Sequence, residues 1–154
     1  MTRRPRSRFW MTNRAVNPIL VPILTAPIGR RLGTKLTVLR YRGRRTGLTH
    51  QLVVQYARDG DTMWILPGDP ENKRWWRNFR TVWPVDVRLT GRWHHASAVA
   101  LDSVCHSSEV RSGLAAYGRV FPKAHFPAGP EDAGTPDAGT PAVRTVMVRI
   151  DLDR

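Results

Sequence analysis

From Lys35 to Leu101 the chain is a series of short strand-forming runs separated by turn signals. Leu36, Val38, Leu39 and Tyr41 fall in Lys35–Arg42, and Leu52, Val53, Val54 and Tyr56 in Thr49–Ala57. Arg58-Asp59-Gly60-Asp61 contains Asp-Gly, a two-residue turn signal, and Thr62–Leu66 follows. These three runs predict an antiparallel meander. Pro67-Gly68-Asp69-Pro70 interrupts it. Glu71–Arg80 then carries Trp75, Trp76 and Phe79 at helical spacing, with Asn72 or Asp69 as the cap. Pro84–Leu89 alternates Val85, Val87 and Leu89, and Thr90-Gly91-Arg92 turns it into Trp93–Leu101. His106–Val120 predicts a helix with Val110, Leu114 and Tyr117 on one face. Ala142–Leu152 alternates with one slip and predicts the last strand.

Six strands with two or three short helices favour a mainly β (α+β) fold, a small antiparallel barrel, over a βαβ arrangement. No Gly-x-Gly-x-x-Gly turn of a nucleotide site is present. Residues 1–16, with Arg3, Arg4, Arg6, Arg8 and then Phe9-Trp10-Met11, predict a flexible basic arm. Residues 17–154 predict a single domain. Its first part, Ile19–Leu32, is broken by Pro22 and Pro27 and predicts a cap made of short pieces. Asp132–Pro141 repeats Asp-Ala-Gly-Thr-Pro, so 128–141 predicts a low-complexity loop.

The 154 residues, 41% of them hydrophobic, suffice for one core. Cys105 is the only cysteine, which excludes an intrachain disulfide and a cysteine-type zinc site. The sequence holds no apolar run of membrane-spanning length and no signal-peptide core, so the expectation is a cytoplasmic protein. The net charge of +13 is unevenly spread. Residues 1–58 hold 13 Lys+Arg and no acid; the remaining 12 Lys+Arg are cancelled by all 12 acids. An excess so placed implies an anionic partner: a nucleic acid, a membrane surface or a ligand with an acidic tail. A basic arm with an aromatic tip also fits peripheral association with the inner face of a membrane.

Candidate chemistry centres on Gly43-Arg44-Arg45-Thr46-Gly47 between the first two strands. Glycines permit left-handed backbone angles that aim successive N–H groups together, and arginine binds phosphate or carboxylate through two parallel donors. The alternative is a solvated basic turn. Adjacent Trp75 and Trp76 diverge by about 100° on a helix, so one packs inward and the other is available to a flat ligand. His94 and His95 point to opposite faces of a strand and do not share a metal, so no metal site is expected. Cys105-His106, as sequence neighbours, make a poor nucleophile–base pair. No hydrolytic signature is present. Tyr41, Tyr56 and Tyr117 are candidate proton donors, although structural tyrosines are the commoner case.

The order Gly43-Arg44-Arg45-Thr46-Gly47, Asp59-Gly60-Asp61, a glycine-bearing loop, Trp75-Trp76-Arg77-Asn78-Phe79 and Pro84-Val85 resembles the deazaflavin-dependent nitroreductase family of actinobacteria. The resemblance covers about Asn17 to Leu101. It implies a split β-barrel of the flavin-mononucleotide-binding type and an oxidoreductase using coenzyme F-420, whose tail carries phosphate and oligoglutamate. It assigns Arg44, Arg45 and Thr46, with Gly47 and His50 of the same hairpin, to the anionic tail, and Pro67, Gly68, Trp75, Trp76 and Asn78 to the ring system; Val54 is a further expected cofactor-binding position. Three positions depart from the pattern: His50 stands where many members have arginine, Val53 where they have proline, and Leu66–Pro70 where they have Ala/Ser-Ser-x-Gly-Gly. The expected reaction is hydride transfer to a small-molecule acceptor, a quinone or nitroaromatic. The alternatives are a basic barrel binding nucleic acid, or one binding flavin mononucleotide (FMN) or haem.

Overall fold

The computed structural model describes residues 35–68, 70–123 and 144–153. The predicted basic arm, the cap Ile19–Leu32, the repeat loop 128–141 and the start of the predicted last strand lie outside these residues. Seven strands are observed: β1 (Leu36–Arg42), β2 (Thr49–Gln55), β3 (Ala57–Asp59), β4 (Thr62–Ile65), β5 (Trp83–Leu89), β6 (Arg92–Asp102) and β7 (Val146–Leu152). A short 3-10 helix, Trp75–Phe79, precedes β5, and helix α1 (Ser107–Val120) follows β6.

All seven strands form one sheet in the order β2-β1-β5-β6-β7-β4-β3, and every pairing is antiparallel. Its two edge strands, β2 and β3, are consecutive in the chain with only Tyr56 between them. A sheet whose first and last strands are joined by one residue must curl back on itself, and the result is an open, split barrel. The expected count of six strands is corrected to seven because Thr49–Ala57 is two strands. Tyr56 N–H still reaches Lys35 O beside β1 (3.0 Å), whereas Ala57 pairs with Trp64 of β4. Tyr56 and Ala57 are both buried, so the one-in, one-out alternation breaks at this corner.

The helix expected over Glu71–Arg80 is corrected as well. Only the five residues Trp75–Phe79 are helical, and no side chain caps them, so the role given to Asn72 is not filled; Asp69, the other expected cap, lies outside the described residues. Pro70 blocks a helix on one side, and Lys73, Arg74 and Arg77 place positive charge where a helix start favours acids. The tight turn puts Asn78 three residues after Trp75, and the Asn78 amide donates to Trp75 O (2.9 Å).

Alternation along each strand builds two cores. Leu39, Tyr41, Val54, Met63, Ile65, Val85, Val87, Ala96, Ala98, Val148 and Ile150 point inward and enclose Phe79. On the outer face, Val110, Ala116 and Tyr117 of α1 pack on Ala57, Trp64, Leu101 and Met147. Helix and sheet meet closely at Gly113, where a Cβ would lie 2.5 Å from a Trp64 ring carbon and 2.8 Å from Met147 Sδ. The β5–β6 hairpin closes through Thr90 (φ 48°) and Gly91 (φ 82°), the paired positive angles of a tight turn that follows strand twist. No helix among the described residues is long and apolar enough to cross a membrane.

Candidate functional site

The split in the barrel follows from how β2 is bonded. Gly43 N–H donates to Leu48 O and Tyr56 N–H to Lys35 O, which fixes the phase of the β1–β2 ladder. Antiparallel pairs alternate, so His50, Leu52 and Val54 turn their main-chain groups toward β1. Val53 and Gln55 turn theirs away from it, and no main-chain group of the described residues hydrogen-bonds to those groups. The same strand sends His50, Leu52 and Val54 side chains into the barrel. Along this edge runs a cleft of about 550 Å³, bounded by β2 residues His50–Gln55, by Ile65–Gly68 where the chain leaves β4, and by Tyr41, Lys73, Trp75 and Tyr117.

The floor of the cleft is aromatic and aliphatic. Tyr41 stacks on His50 with ring centroids 5.3 Å apart and meets Phe79 edge-on at 5.1 Å; Phe79 in turn meets Trp75 at 6.1 Å. Burial pushes the Tyr41 phenol up to about 12, and burial raises Tyr117 also. Both therefore stay protonated at neutral pH and keep an O–H to donate. The Lys73 ammonium lies beside Gly68 and makes no ion pair or hydrogen bond among the described residues.

Of the residues singled out from the sequence, His50, Val54, Pro67, Gly68 and Trp75 line this cleft. Arg44, Arg45, Thr46, Gly47, Trp76 and Asn78 do not. The hairpin tip is largely committed to the protein itself. The Arg44 guanidinium is spread over the carbonyl oxygens of Asn78, Thr81 (3.0 Å) and Val82 (3.4 Å) and the Thr81 hydroxyl, and it stacks 4.1 Å from the Trp83 ring. Arg44 N–H donates to Asn78 Oδ1 (3.0 Å), and the Asn78 amide donates in turn to Trp75 O, so Asn78 ties the tip to the 3-10 helix. Thr46 Oγ1 accepts from Leu48 N–H, and Gly47 N–H donates to Gly43 O. Trp76 Nε1 donates to Pro70 O (2.9 Å). Arg45 is exposed and has no such partner among the described residues. At the base of the hairpin a Cβ on Gly43 would lie 2.9 Å from both His50 Nε2 and Thr46 Oγ1, so only glycine lets the His50 ring fold in there.

Lys73, Gln51, Gln55, Leu52 and Ile65 line the cleft but were not singled out as site residues, and Tyr41 and Tyr117 were named only as candidate donors. For Leu52 the signal was available: it shares its strand face with His50 and Val54. For Lys73 it was not, because that residue stands in a run of cations with nothing local to mark it. Elsewhere, His95 Nδ1 lies 2.6 Å from Asp86 Oδ1, and Asp86 also pairs with Arg40 at 2.9 Å, a cross-strand charge row on the other side of β1.

A curled antiparallel sheet with an aromatic-floored cleft along its split is the architecture of a cofactor-binding split barrel. The sequence model of the F420H(2)-dependent quinone reductase family matches residues 19–111, more than half the chain, and the protein belongs to that family. It is accordingly a deazaflavin-dependent oxidoreductase, and its cofactor is coenzyme F-420. The donor set fits such a group: a flat apolar floor suits the ring, and the uncommitted cations Lys73 and Arg45 suit an acidic tail.

Comparison with curated proteins gives no match. Among solved structures, the chain is similar to a protein of Bacteroides thetaiotaomicron described as a 5-nitroimidazole antibiotic resistance protein, with 14% identity, 83% of this chain and 78% of that chain covered, and a TM-score of 0.47. It is also similar to a pyridoxamine 5'-phosphate oxidase described from Listeria innocua (14% identity, 82% and 90% covered, TM-score 0.40). A third is an FAD and heme binding protein from Mycobacterium smegmatis (14% identity, 82% and 70% covered, TM-score 0.40). The fold assignment above rests on the chain's own strand order.

Proposed function

We propose that this protein reduces a quinone-like acceptor with hydride from reduced F-420, and that ring and acceptor meet in the cleft between β2 and Ile65–Gly68. The observation that carries this reading is the cleft itself, which joins an apolar, aromatic floor to protic and cationic groups along an unpaired strand edge. The bound cofactor supplies the hydride. The protein's own residues position the reactants and manage the charge. Val54, Ile65, Leu66 and Pro67 exclude water from one wall, and Trp75 offers a flat face. Val53 and Gln55 offer main-chain N–H and C=O groups along the open edge. Lys73, His50 and Arg45 take the anionic tail.

A quinone needs one hydride and one proton to become a hydroquinone. Lys73, Tyr117 and Tyr41 are the protic side chains nearest the apolar floor, and any of them satisfies the proton balance. Arg44, Thr46, Gly47 and Asn78 support the hairpin in this reading, Trp76 ties the 3-10 helix to Pro70, and none of them touches the cofactor. Nitroaromatics, as flat electron-poor acceptors, fit the same floor.

The test is reoxidation of F420H2 followed optically with menadione, and then with a nitroaromatic, in the presence of purified protein. Acceleration by menadione supports the reading. A folded sample that binds F-420 but leaves the menadione rate unchanged refutes the acceptor; one that binds no F-420 at micromolar concentration refutes the site.

A further inference from the structure

Tyr41 carries one group that the fold leaves without a use. On β1 it pairs with His50 of β2 on one side and with Val85 of β5 on the other, so its backbone is held from both directions. The side chain turns into the barrel and is only 5% exposed. His50 stacks on the ring at 5.3 Å and Phe79 meets it edge-on at 5.1 Å. A phenylalanine ring would make the same two contacts. What tyrosine adds is a hydroxyl, and that hydroxyl makes no hydrogen bond among the described residues. It is not sealed in the core either. Among the described residues, the enclosed side-chain atoms without a partner are Arg88 Nε and His106 Nδ1, whereas Tyr41 lines the cleft. Buried polar groups are almost always paired, so a clamped phenol with its O–H open to a cleft marks a point where a ligand supplies the acceptor. The other protic groups of the cleft are placed differently. Tyr117 packs in the outer core with its ring 4.6 Å from that of Phe121, and Lys73 is given to the acidic tail.

We infer that Tyr41 is the hydrogen-bond donor that the cleft presents to a carbonyl oxygen of the acceptor, where it stabilises the negative charge that collects as hydride arrives. The inference rests on the reading of the cleft as the place where ring and acceptor meet. The quinone is reduced by the two electrons of one hydride, taken from the reduced cofactor, which is oxidised. A carbon–oxygen π bond breaks, negative charge collects on that oxygen, and one proton completes the hydroquinone. A donor already fixed by His50 and Phe79 meets this charge without having to reorganise. Burial pushes the phenol up to about 12, so its O–H bond stays intact at neutral pH, and the completing proton comes from Lys73 or from solvent. The acceptor class narrows accordingly to flat molecules that carry a carbonyl oxygen at the edge of an apolar ring.

The experiment compares the full-length wild type with Tyr41→Phe in four measurements. These are kcat and KM for menadione with F420H2, fluorescence titration of F-420, menadione binding to the protein holding oxidised F-420, and the melting temperature at neutral pH. Tyr41→Phe is expected to lose about tenfold or more in kcat and about threefold in menadione affinity. Its F-420 titration is expected to match the wild type. Its melting temperature is expected to be no lower, because no internal hydrogen bond is lost. A variant that turns menadione over as fast as the wild type overturns the inference. So does a variant whose affinity for F-420 falls, since the hydroxyl then serves the cofactor, or one that melts well below the wild type, since the hydroxyl then has a structural partner. A wild type that binds F-420 but does not reduce menadione refutes the acceptor reading itself, and the inference falls with it.

Discussion

Arg44 decides between two accounts of the hairpin, as a grip for an anion or as a latch for the fold. Its guanidinium contacts three carbonyl oxygens and one hydroxyl between Asn78 and Val82 and stacks on Trp83. Replacing it with alanine removes at least two well-formed charge-assisted hydrogen bonds and one cation–π contact. Because the site is exposed, each hydrogen bond is taken near the lower end of the usual range, about 0.5 kcal/mol, and the stack at about 0.5–1 kcal/mol. The sum is about 2 kcal/mol. For a chain of this size that lowers the melting temperature by roughly 4–8 °C. Arg44→Lys keeps the charge but loses the planar fork and the stack, so it should forfeit more than half of that effect. Arg45→Ala should stay within about 0.5 kcal/mol of wild type. Thermal unfolding by circular dichroism, run beside an F-420 titration, measures both properties on the same samples. If Arg44→Ala melts with the wild type while its affinity for the cofactor tail collapses, the latch account is wrong and the guanidinium is a ligand contact.

Three further outcomes follow from packing and ionisation. Gly113→Ala places a methyl against Trp64 and Met147 and should cost about 1–3 kcal/mol, read as a lower denaturant midpoint; an unchanged midpoint would show that α1 slides freely on the sheet. Tyr41 ionises at about 12 when folded, against an ordinary value of 10.0. Its contribution is therefore complete below pH 10 and is lost as pH rises toward 12, by at most about 3 kcal/mol, and Tyr41→Phe should flatten that alkaline decline. The hydrogen bond from Arg144 holds the Asp102 carboxyl below its ordinary 3.8 against the opposing effect of partial burial. That contribution is present above pH 3.8 and is lost as pH falls below it, so Arg144→Ala should weaken the acid-side loss of stability seen in a pH series of melts.

The sequence made the strands legible wherever apolar residues alternate in isolation, as Val85, Val87 and Leu89 do in β5. It misled at Tyr56-Ala57, where two consecutive buried residues read as the tail of one strand although they mark the corner at which the chain changes partners. The helical spacing of Trp75, Trp76 and Phe79 was real. Its length was not, because Pro70 and the cationic run Lys73, Arg74, Arg77 stop the turn from extending. Arg44 and Arg45 look equivalent in the sequence. What separates them is a set of acceptors that only folding delivers, the nearest 34 residues further along the chain. Lys73 went unread for the converse reason: the Gly68 loop beside it carries no periodic signal.

The central claim is that F-420 occupies the split between β2 and Ile65–Gly68, and Gly68 offers the most direct test. A Cβ there would meet only Lys73 Nζ, at 3.6 Å, an ordinary contact, so a side chain can start at this position, and a tryptophan built from it narrows the cleft. Fluorescence titration of F-420 against wild type and Gly68→Trp is the measurement. At least a tenfold loss of affinity with an unchanged melting temperature is the predicted result, and a Gly68→Trp protein that binds F-420 as tightly as the wild type would contradict the assignment.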